Sequence, residues 1–273
     1  MAGAGANWKI LLTVIAALLM RGPLPQRADW VAPARIGQAA REAQGRVILD
    51  RAIRAHGGRE AWLRKKDAAF STTWIHYGNG RPTTSSRYVI KFLTGPGPVP
   101  AIVETEENGK AVLMGISGSR SWFIVGDERH EDLDSLKVNR AFVRRAHALV
   151  ALPFRLDDPS YRLEHDGEQM KSGVWVDRVR VSHGLEPTAI YLFDRQTGRL
   201  VGMGSDVADP PTSMVSEYLD FTTFDGIVIP RTQLFDHVDL VTGGRTRALT
   251  VSVDRVTFQN HFPPAIFEPP PAR

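Results

Sequence analysis

The 273-residue sequence contains no cysteine. This absence excludes disulfide bonds, thiolate metal sites, haem attachment through cysteine and a cysteine nucleophile. It also excludes an N-terminal lipid anchor on cysteine. An exported form of this chain would therefore be soluble or held by an uncut leader.

The sequence also lacks an apolar run long enough to span a membrane as a helix, which takes about 20 residues. A shorter run, residues 10–20, follows Lys9 and precedes Arg21. An apolar segment of this length behind a cation is typical of a secretion signal. We therefore expect residues 1–28 to be a signal peptide and the protein to be exported to the periplasm or cell envelope. Neither Ala28 nor Ala32 has the small-x-small cleavage pattern, so an uncut N-terminal anchor is the alternative.

A large charge excess is missing as well. The formal net charge of +4 comes from 34 basic and 30 acidic residues. Three of the basic residues, Lys9, Arg21 and Arg27, lie in the predicted leader, which holds no acid. Without the leader 31 basic residues face 30 acidic ones, and the surplus typical of nucleic-acid-binding proteins disappears. We expect no nucleic-acid partner.

The hydrophobic pattern changes its period along the chain. Helical spacing over residues 36–56 is stopped by Gly57-Gly58, and a short second helical turn follows. Residues 68–258 then alternate as strands between closely spaced turn signals, interrupted by one amphipathic helix over 133–150. This order predicts a mainly β (α+β) fold: a curved antiparallel half-barrel of about 11 strands with helices covering the concave face. We expect one domain over residues 35–268 and a Pro-rich tail over 269–273.

Two strands contain a phase slip in their apolar alternation. Val174 and Val176 share one face, whereas Val179 and Val181 have the opposite parity. A similar slip follows Val253. Because a β-bulge adds one residue and returns the apolar side chains to the core, we predict irregular, bent pairing at residues 177–178 and 254–255.

A half-barrel over one apolar helix encloses an apolar interior, and we predict that this interior is a ligand cavity. The residues expected to line the sheet side are Tyr88, Ile90, Phe92, Val174, Val176, Leu249, Val251 and Val253. The residues expected to face them are Leu136, Val143, Leu149 and Phe154.

The central helix also carries a basic stripe of Lys137, Arg140 and Arg144. Such a stripe is either the solvated side of a packed helix or a docking surface for an anionic lipid, a membrane surface or an acidic partner.

Catalytic and metal-binding patterns are incomplete. His56-Gly57-Gly58 is similar to an esterase oxyanion loop, but the chain has no Gly-x-Ser-x-Gly nucleophile elbow. His130, Glu131, Asp132 and Asp134 could ligate a metal, yet no second cluster completes a site, which favours a solvated loop. We expect no catalytic residue, no metal and no cofactor.

Several motifs, in this order along the chain, resemble the LolA/LolB lipoprotein-localisation superfamily. They are His56-Gly57-Gly58 with Trp62, residues 150–154, residues 191–198, residues 217–221 leading to 225–231, and residues 256–260 before Phe267. The resemblance covers roughly residues 40–270. It implies a half-open barrel lidded by helices and a non-enzymatic role in carrying acylated proteins or sensing lipids.

Two departures limit the resemblance. Where the periplasmic carrier has a lid-latching arginine before a proline, this chain has Thr94-Gly95-Pro96, and it lacks the cysteine of the lipidated outer-membrane receptor. The resulting hypothesis is an exported, monomeric, non-enzymatic binding protein for an acyl chain, lipid or lipoprotein. The alternatives are an interaction or sensor module of the same fold with a filled core and, third, a hydrolase.

Overall fold

The molecule is built on one antiparallel sheet that remains open. The structure, a computed structural model, describes residues 30–31, 37–95, 99–184, 188–207 and 212–270. Within these ranges fourteen strands pair in the order β1-β8-β9-β10-β11-β12-β13-β14-β2-β3-β4-β5-β6-β7. The strands are β1 (Trp30–Val31), β2 (Asp67–Gly78), β3 (Arg81–Leu93), β4 (Ala101–Glu107), β5 (Lys110–Ser117), β6 (Arg120–Val125), β7 (Glu128–His130), β8 (Arg162–Lys171), β9 (Val174–Ser182), β10 (Ala189–Asp194), β11 (Leu200–Val207), β12 (Thr212–Phe224), β13 (Ile227–Asp239) and β14 (Arg245–Phe258).

The predicted mainly β, antiparallel architecture is confirmed, but the predicted count of about 11 strands is too low. β1 and β7 span only two and three residues. Strands of this length show no alternation in the sequence, so pairing with a neighbour is what defines them.

In the described part of the chain three α-helices accompany the sheet: α1 (Gln38–Ala55), α2 (Arg59–Leu63) and α3 (Leu133–Ala151). α1 packs against β8 and β9, whereas α3 packs against β3, β4, β5 and β6. Asp132 begins α3 by accepting a hydrogen bond from the Ser135 N–H at 2.8 Å, a side-chain N-cap. No helix in the described ranges is both long and apolar enough to cross a membrane.

Irregular pairing occurs at both predicted places. On β14, Val253 pairs with Thr72 and Arg255 with Ser71, which leaves Asp254 as the extra residue and confirms that bulge. At the other place the extra residue is on the partner strand: Asp166 and Gly167 of β8 lie opposite Arg178 of β9. The prediction put this bulge on the wrong strand, because the phase slip in β9 does not reveal which strand carries the insertion. Gly167 permits it with a φ of +90°.

The main core lies on the concave face and joins the helices to the sheet. Trp62 of α2 stacks on Phe154 with ring centroids 4.5 Å apart, and Phe70 stacks on Phe92 at 5.7 Å. A second, smaller cluster of Ile102, Trp122 and Phe267 is formed where the turn Pro264–Phe267 packs against the sheet. The predicted leader, residues 1–28, and residues 271–273 of the predicted tail lie outside the described residues.

Candidate functional site

Most of the residues predicted to line a cavity lie in the main core. Ten of the twelve are buried. They are Tyr88, Ile90, Phe92, Val143, Leu149, Phe154, Val176, Leu249, Val251 and Val253. All of these except Val176 belong to one contiguous apolar cluster, and Leu136 is half-buried.

Protein side chains fill the concave face at these residues. Ile90, Phe92, Val143 and Val251 are 0% exposed, so no void large enough for a water molecule borders them. The ring of Phe142 lies 5.6 Å from the rings of both Trp74 and Tyr88. The expected open cavity is therefore corrected for this part of the sheet, because α3 supplies the apolar groups that a ligand would otherwise supply. Ligand binding by these residues stays a prediction.

Val174 does not face the core, which corrects its assignment. It lies beside the turn that joins β8 to β9, and it is 39% exposed. Trp175 next to it is 42% exposed. At a hairpin tip neither face of the strands is covered by a helix, so apolar alternation there does not identify an inner face.

Two neighbouring pockets open along one flank of α3. Their volumes are ≈ 70 Å³ and ≈ 20 Å³, and they share Val99, His147, Arg155 and Asp158 in their linings. His147 packs edge-on against Phe92 at 4.6 Å, and burial lowers its pKa to about 3 with a smaller contribution from Arg155. The pocket base is therefore neutral at physiological pH, and the charged groups stand at its rim.

The structure brings two of the three predicted stripe residues to this rim. Arg140 and Arg144 line the larger pocket, whereas Lys137 does not line it and forms an exposed 3.6 Å ion pair with Asp134. Arg140 donates to the Ser119 carbonyl. Burial, and next the charge of Arg144, lowers the pKa of Arg140. Recognition of an anionic lipid or partner by this rim stays a prediction.

The His56-Gly57-Gly58 motif forms a structural corner rather than an oxyanion loop. His56 Nδ1 donates to the Val228 carbonyl at 2.8 Å, and its Nε2 accepts from the Leu200 N–H at 3.3 Å. Burial lowers the pKa of His56 to about 4. Both ring nitrogens are thus used by backbone groups, and the end of α1 is held against β11 and β13.

Gly57 completes this corner through a close backbone approach. Its φ is +112°, and a Cβ at this position would lie 2.2 Å from the Gly226 carbonyl oxygen. Lys65, which follows α2, reaches Asp225 of the same β12–β13 turn at 2.5 Å. Three motifs of the sequence resemblance, near residues 56, 198 and 226, therefore meet in one packing corner.

The four residues of the candidate metal cluster, 130–132 and 134, each make a different local contact. Glu131 pairs with Arg129 at 3.1 Å, and His130 stacks on Phe123 at 4.9 Å. Asp132 caps α3 and Asp134 pairs with Lys137. In the described part of the chain no group of three or more His, Asp or Glu could hold a metal ion.

Arg145 is absent from the residues predicted above, yet the structure places it on the inner flank of α3. It lies three residues after Phe142 and four before Leu149, both buried, and is itself half-buried. Burial lowers its pKa to about 10, while Tyr218 and Tyr191 act in the opposite direction. A cation at an apolar-face position of the helical repeat was the signal that could have identified it.

Solved structures share this architecture. A Vibrio parahaemolyticus domain described as an outer membrane lipoprotein-sorting protein aligns at 12% identity over 83% of this chain and 97% of its own, with a TM-score of 0.54. A DUF1329 family protein of Desulfovibrio piger aligns at 11% identity, 82% and 97% coverage and a TM-score of 0.54. A LolA superfamily protein of Nitrosomonas europaea aligns at 12% identity, 82% and 97% coverage and a TM-score of 0.53.

The chain has the LolA-type fold. At 11–12% identity this likeness concerns the fold, and it agrees with the resemblance seen in the sequence motifs. No protein-family model matches the chain, and no curated protein sequence matches it.

Proposed function

We propose that this LolA-type protein is an exported, non-enzymatic binding protein for the acyl chain of a lipid or lipidated protein in the cell envelope. In this proposal α3 is a movable cover, and the acyl chain enters between α3 and the concave face. The fold shared with lipoprotein-sorting and LolA superfamily structures supports a carrier role.

The observation that carries the proposal is the way α3 is held. One helix covers the apolar inner face of β3–β6, and it is inserted between β7 and β8, which do not pair with each other. The polar links from its inner side to the sheet are few, notably Asn139 to the Trp122 carbonyl at 2.8 Å and Gln233 to the Leu149 carbonyl at 2.9 Å. Displacing α3 would therefore leave every strand pair intact.

The free energy gained by burying an acyl chain is large enough to compete with the packing of α3. Burying one CH₂ group contributes about 0.8 kcal/mol, so ten carbons supply roughly 8 kcal/mol. This gain offsets the loss of α3 packing, and only the difference appears as affinity. Micromolar binding corresponds to about 8 kcal/mol, so a longer chain is needed to displace α3 and still bind at that level.

A disulfide staple between α3 and β6 tests the movement. The side chains of Ser121 and Asn139 lie 3.3 Å apart, and the natural chain has no cysteine that would interfere. The Ser121→Cys/Asn139→Cys protein is expected to take up a fluorescent fatty acid when reduced and to lose that uptake when oxidised. Native mass spectrometry with lipid extraction of the wild-type protein measures bound lipid directly.

A second staple away from α3 provides the matched control. Thr73 and Asp254 contact each other at 2.7 Å across β2 and β14, so the Thr73→Cys/Asp254→Cys pair locks the sheet but not the helix. Uptake that persists in the oxidised α3 staple, or a wild-type protein that neither carries nor takes up lipid, would contradict the proposal. The filled-core alternative, an interaction module acting through the Arg140 and Arg144 rim, would then remain.

A further inference from the structure

Arg145 faces the part of the concave surface formed by β12 and β13. Its position follows from Leu149, one helical turn further on, whose carbonyl accepts a 2.9 Å hydrogen bond from Nε2 of the fully buried Gln233. Gln233 of β13 is the direct partner of Tyr218 in β12. The inner flank of α3 thus holds Arg145 over a polar patch in an otherwise apolar wall.

The polar groups of this patch have unused hydrogen-bonding capacity. Tyr218 is 3% exposed, and its buried hydroxyl, although near Ser216, makes no hydrogen bond within 3.5 Å to the described residues. Oε1 of Gln233 is also buried and has no hydrogen-bond partner in the described part of the chain. Buried polar groups are normally satisfied, so two orphaned groups side by side indicate a place where a bound molecule completes the network.

Arg145 itself has no hydrogen bond or ion pair with any of the residues that the structure describes. Some partly buried arginines have a carboxylate partner: Arg178 shares Asp166 with the exposed Arg180 at 3.0 Å, and Arg247 binds Asp236. A partly buried cation without an anion is costly. None of the described residues supplies an anion to Arg145, and a bound anion would lower this cost.

The chemistry of the patch selects a singly charged, planar anion. One guanidinium presents a fork of donors that matches the two oxygens of a carboxylate, and the Tyr218 hydroxyl can donate a further hydrogen bond. His237 does not add a second cation, because burial and next the charge of Arg145 lower its pKa. A phosphate dianion would require more positive charge than the patch offers.

Apolar, adaptable side chains surround the patch. Met203 and Met214 lie on the inner faces of β11 and β12, and Tyr191 of β10 pairs with Met203. Met203 and Tyr191 are only partly buried, so α3 does not seal this side of the concave face. Methionine side chains adjust readily to an inserted chain.

We propose that Arg145 and Tyr218 bind the carboxylate of a long-chain fatty acid whose tail lies against Met203, Met214 and the inner face beneath α3. This inference rests on the proposed function and narrows its ligand from acyl chains in general to acyl chains that end in a carboxylate.

Binding of palmitate and hexadecanol, which share one chain length and differ in the head group, tests the inference on the full chain. The wild-type protein is expected to bind palmitate about 10- to 100-fold more tightly than hexadecanol. Arg145→Leu should abolish this preference by weakening palmitate while leaving hexadecanol unchanged. Tyr218→Phe should weaken palmitate about 5-fold, the effect of one lost hydrogen bond. Arg54→Leu, which removes an exposed arginine in the last turn of α1, should retain the wild-type preference.

The outcomes separate the two proposals. If palmitate and hexadecanol bind equally to the wild-type protein, or if Arg145→Leu keeps the preference, the carboxylate site is refuted while the acyl-binding function stands. If neither ligand binds, both proposals fail. Arg145→Gln repeats the test with a polar side chain, and thermal unfolding of each variant verifies that its fold is retained.

Discussion

Two basic side chains of this protein, one buried and one half-buried, differ in whether their polar atoms have partners. His56 is 1% exposed at the corner between α1, β11 and β13, and backbone groups satisfy both of its ring nitrogens. Arg145 lies on the inner flank of α3 and has neither a hydrogen bond nor an ion pair with the described residues. The histidine is neutral and both of its ring nitrogens are hydrogen-bonded, whereas the arginine is charged and has no polar partner among the described residues.

This difference makes His56 part of a structural site and Arg145 part of a candidate binding site. A buried group whose partners all come from the backbone stabilises the fold, and its removal leaves those partners unsatisfied. A partly buried charge without a partner lowers stability, so its presence requires another explanation. Here the explanation that we propose is a ligand. The predictions that follow test whether the corner and the α3 flank differ in this way.

The largest effect is expected at Gly57 of the corner. Gly57→Ala would place a Cβ 2.2 Å from the Gly226 carbonyl oxygen, and it would put an alanine at a φ of +112°. The steric clash and the backbone strain can be relieved only by moving the α1–α2 turn. We expect the free energy of unfolding, measured by urea denaturation, to fall by about 3 kcal/mol or more. Gly58→Ala is the matched control: its φ is +92° but nothing lies within 4 Å of the added Cβ. The free energy of unfolding is expected to fall by about 1–2 kcal/mol in this control. Equal losses in the two variants would show that backbone strain, and not the close approach to Gly226, causes the loss at Gly57.

The second effect is a loss of stability in acid caused by His56. Its folded-state pKa of about 4 is below the unfolded value of 6.5, so protons bind preferentially to the unfolded chain. The free energy of unfolding is therefore expected to fall as the pH drops from 6.5 to 4, by about 3 kcal/mol for His56 alone. His147 acts in the same direction.

Urea denaturation at several pH values measures this slope. His56→Gln removes the titrating group and should flatten the slope, although it lowers stability at pH 7. Arg145→Leu should keep the wild-type slope, since Arg145 stays protonated throughout this range. An unchanged slope in His56→Gln would contradict the role of His56 in acid.

The smallest effect is expected from Arg145→Leu at neutral pH. Because this change removes an unpaired charge from a partly buried position, the melting temperature should stay the same or rise, within about 1 kcal/mol of stability. A loss of more than about 2 kcal/mol would show that Arg145 is a structural residue like His56, and would remove the contrast between the two sites.

Much of the fold could be predicted from local patterns. Helical spacing predicts a helix over 133–150, and α3 ends one residue later. Alternation places Tyr88, Ile90 and Phe92 on one face, and all three are buried. The double glycine after residue 56 correctly marks the end of α1. These features depend on neighbouring residues, so a local pattern is sufficient to reveal them.

Other features depend on contacts between distant residues. The bulge opposite Arg178 belongs to β8, and Val174 is exposed because its hairpin extends beyond the helices. The partners of His56 lie 144 and 172 residues away along the chain. Neither bulge placement nor such partners can be deduced from the alternation of a single strand.

The sequence by itself determined the class of fold, the bounds of α3 and the apolar character of the concave face, because periodicity and turn residues act over a few positions. Only the tertiary structure decided that α3 fills that face, that His56 is fully paired and that Arg145 is not. Pairing and filling depend on which side chains of distant segments meet, and that is set by the packing of the whole sheet around one helix.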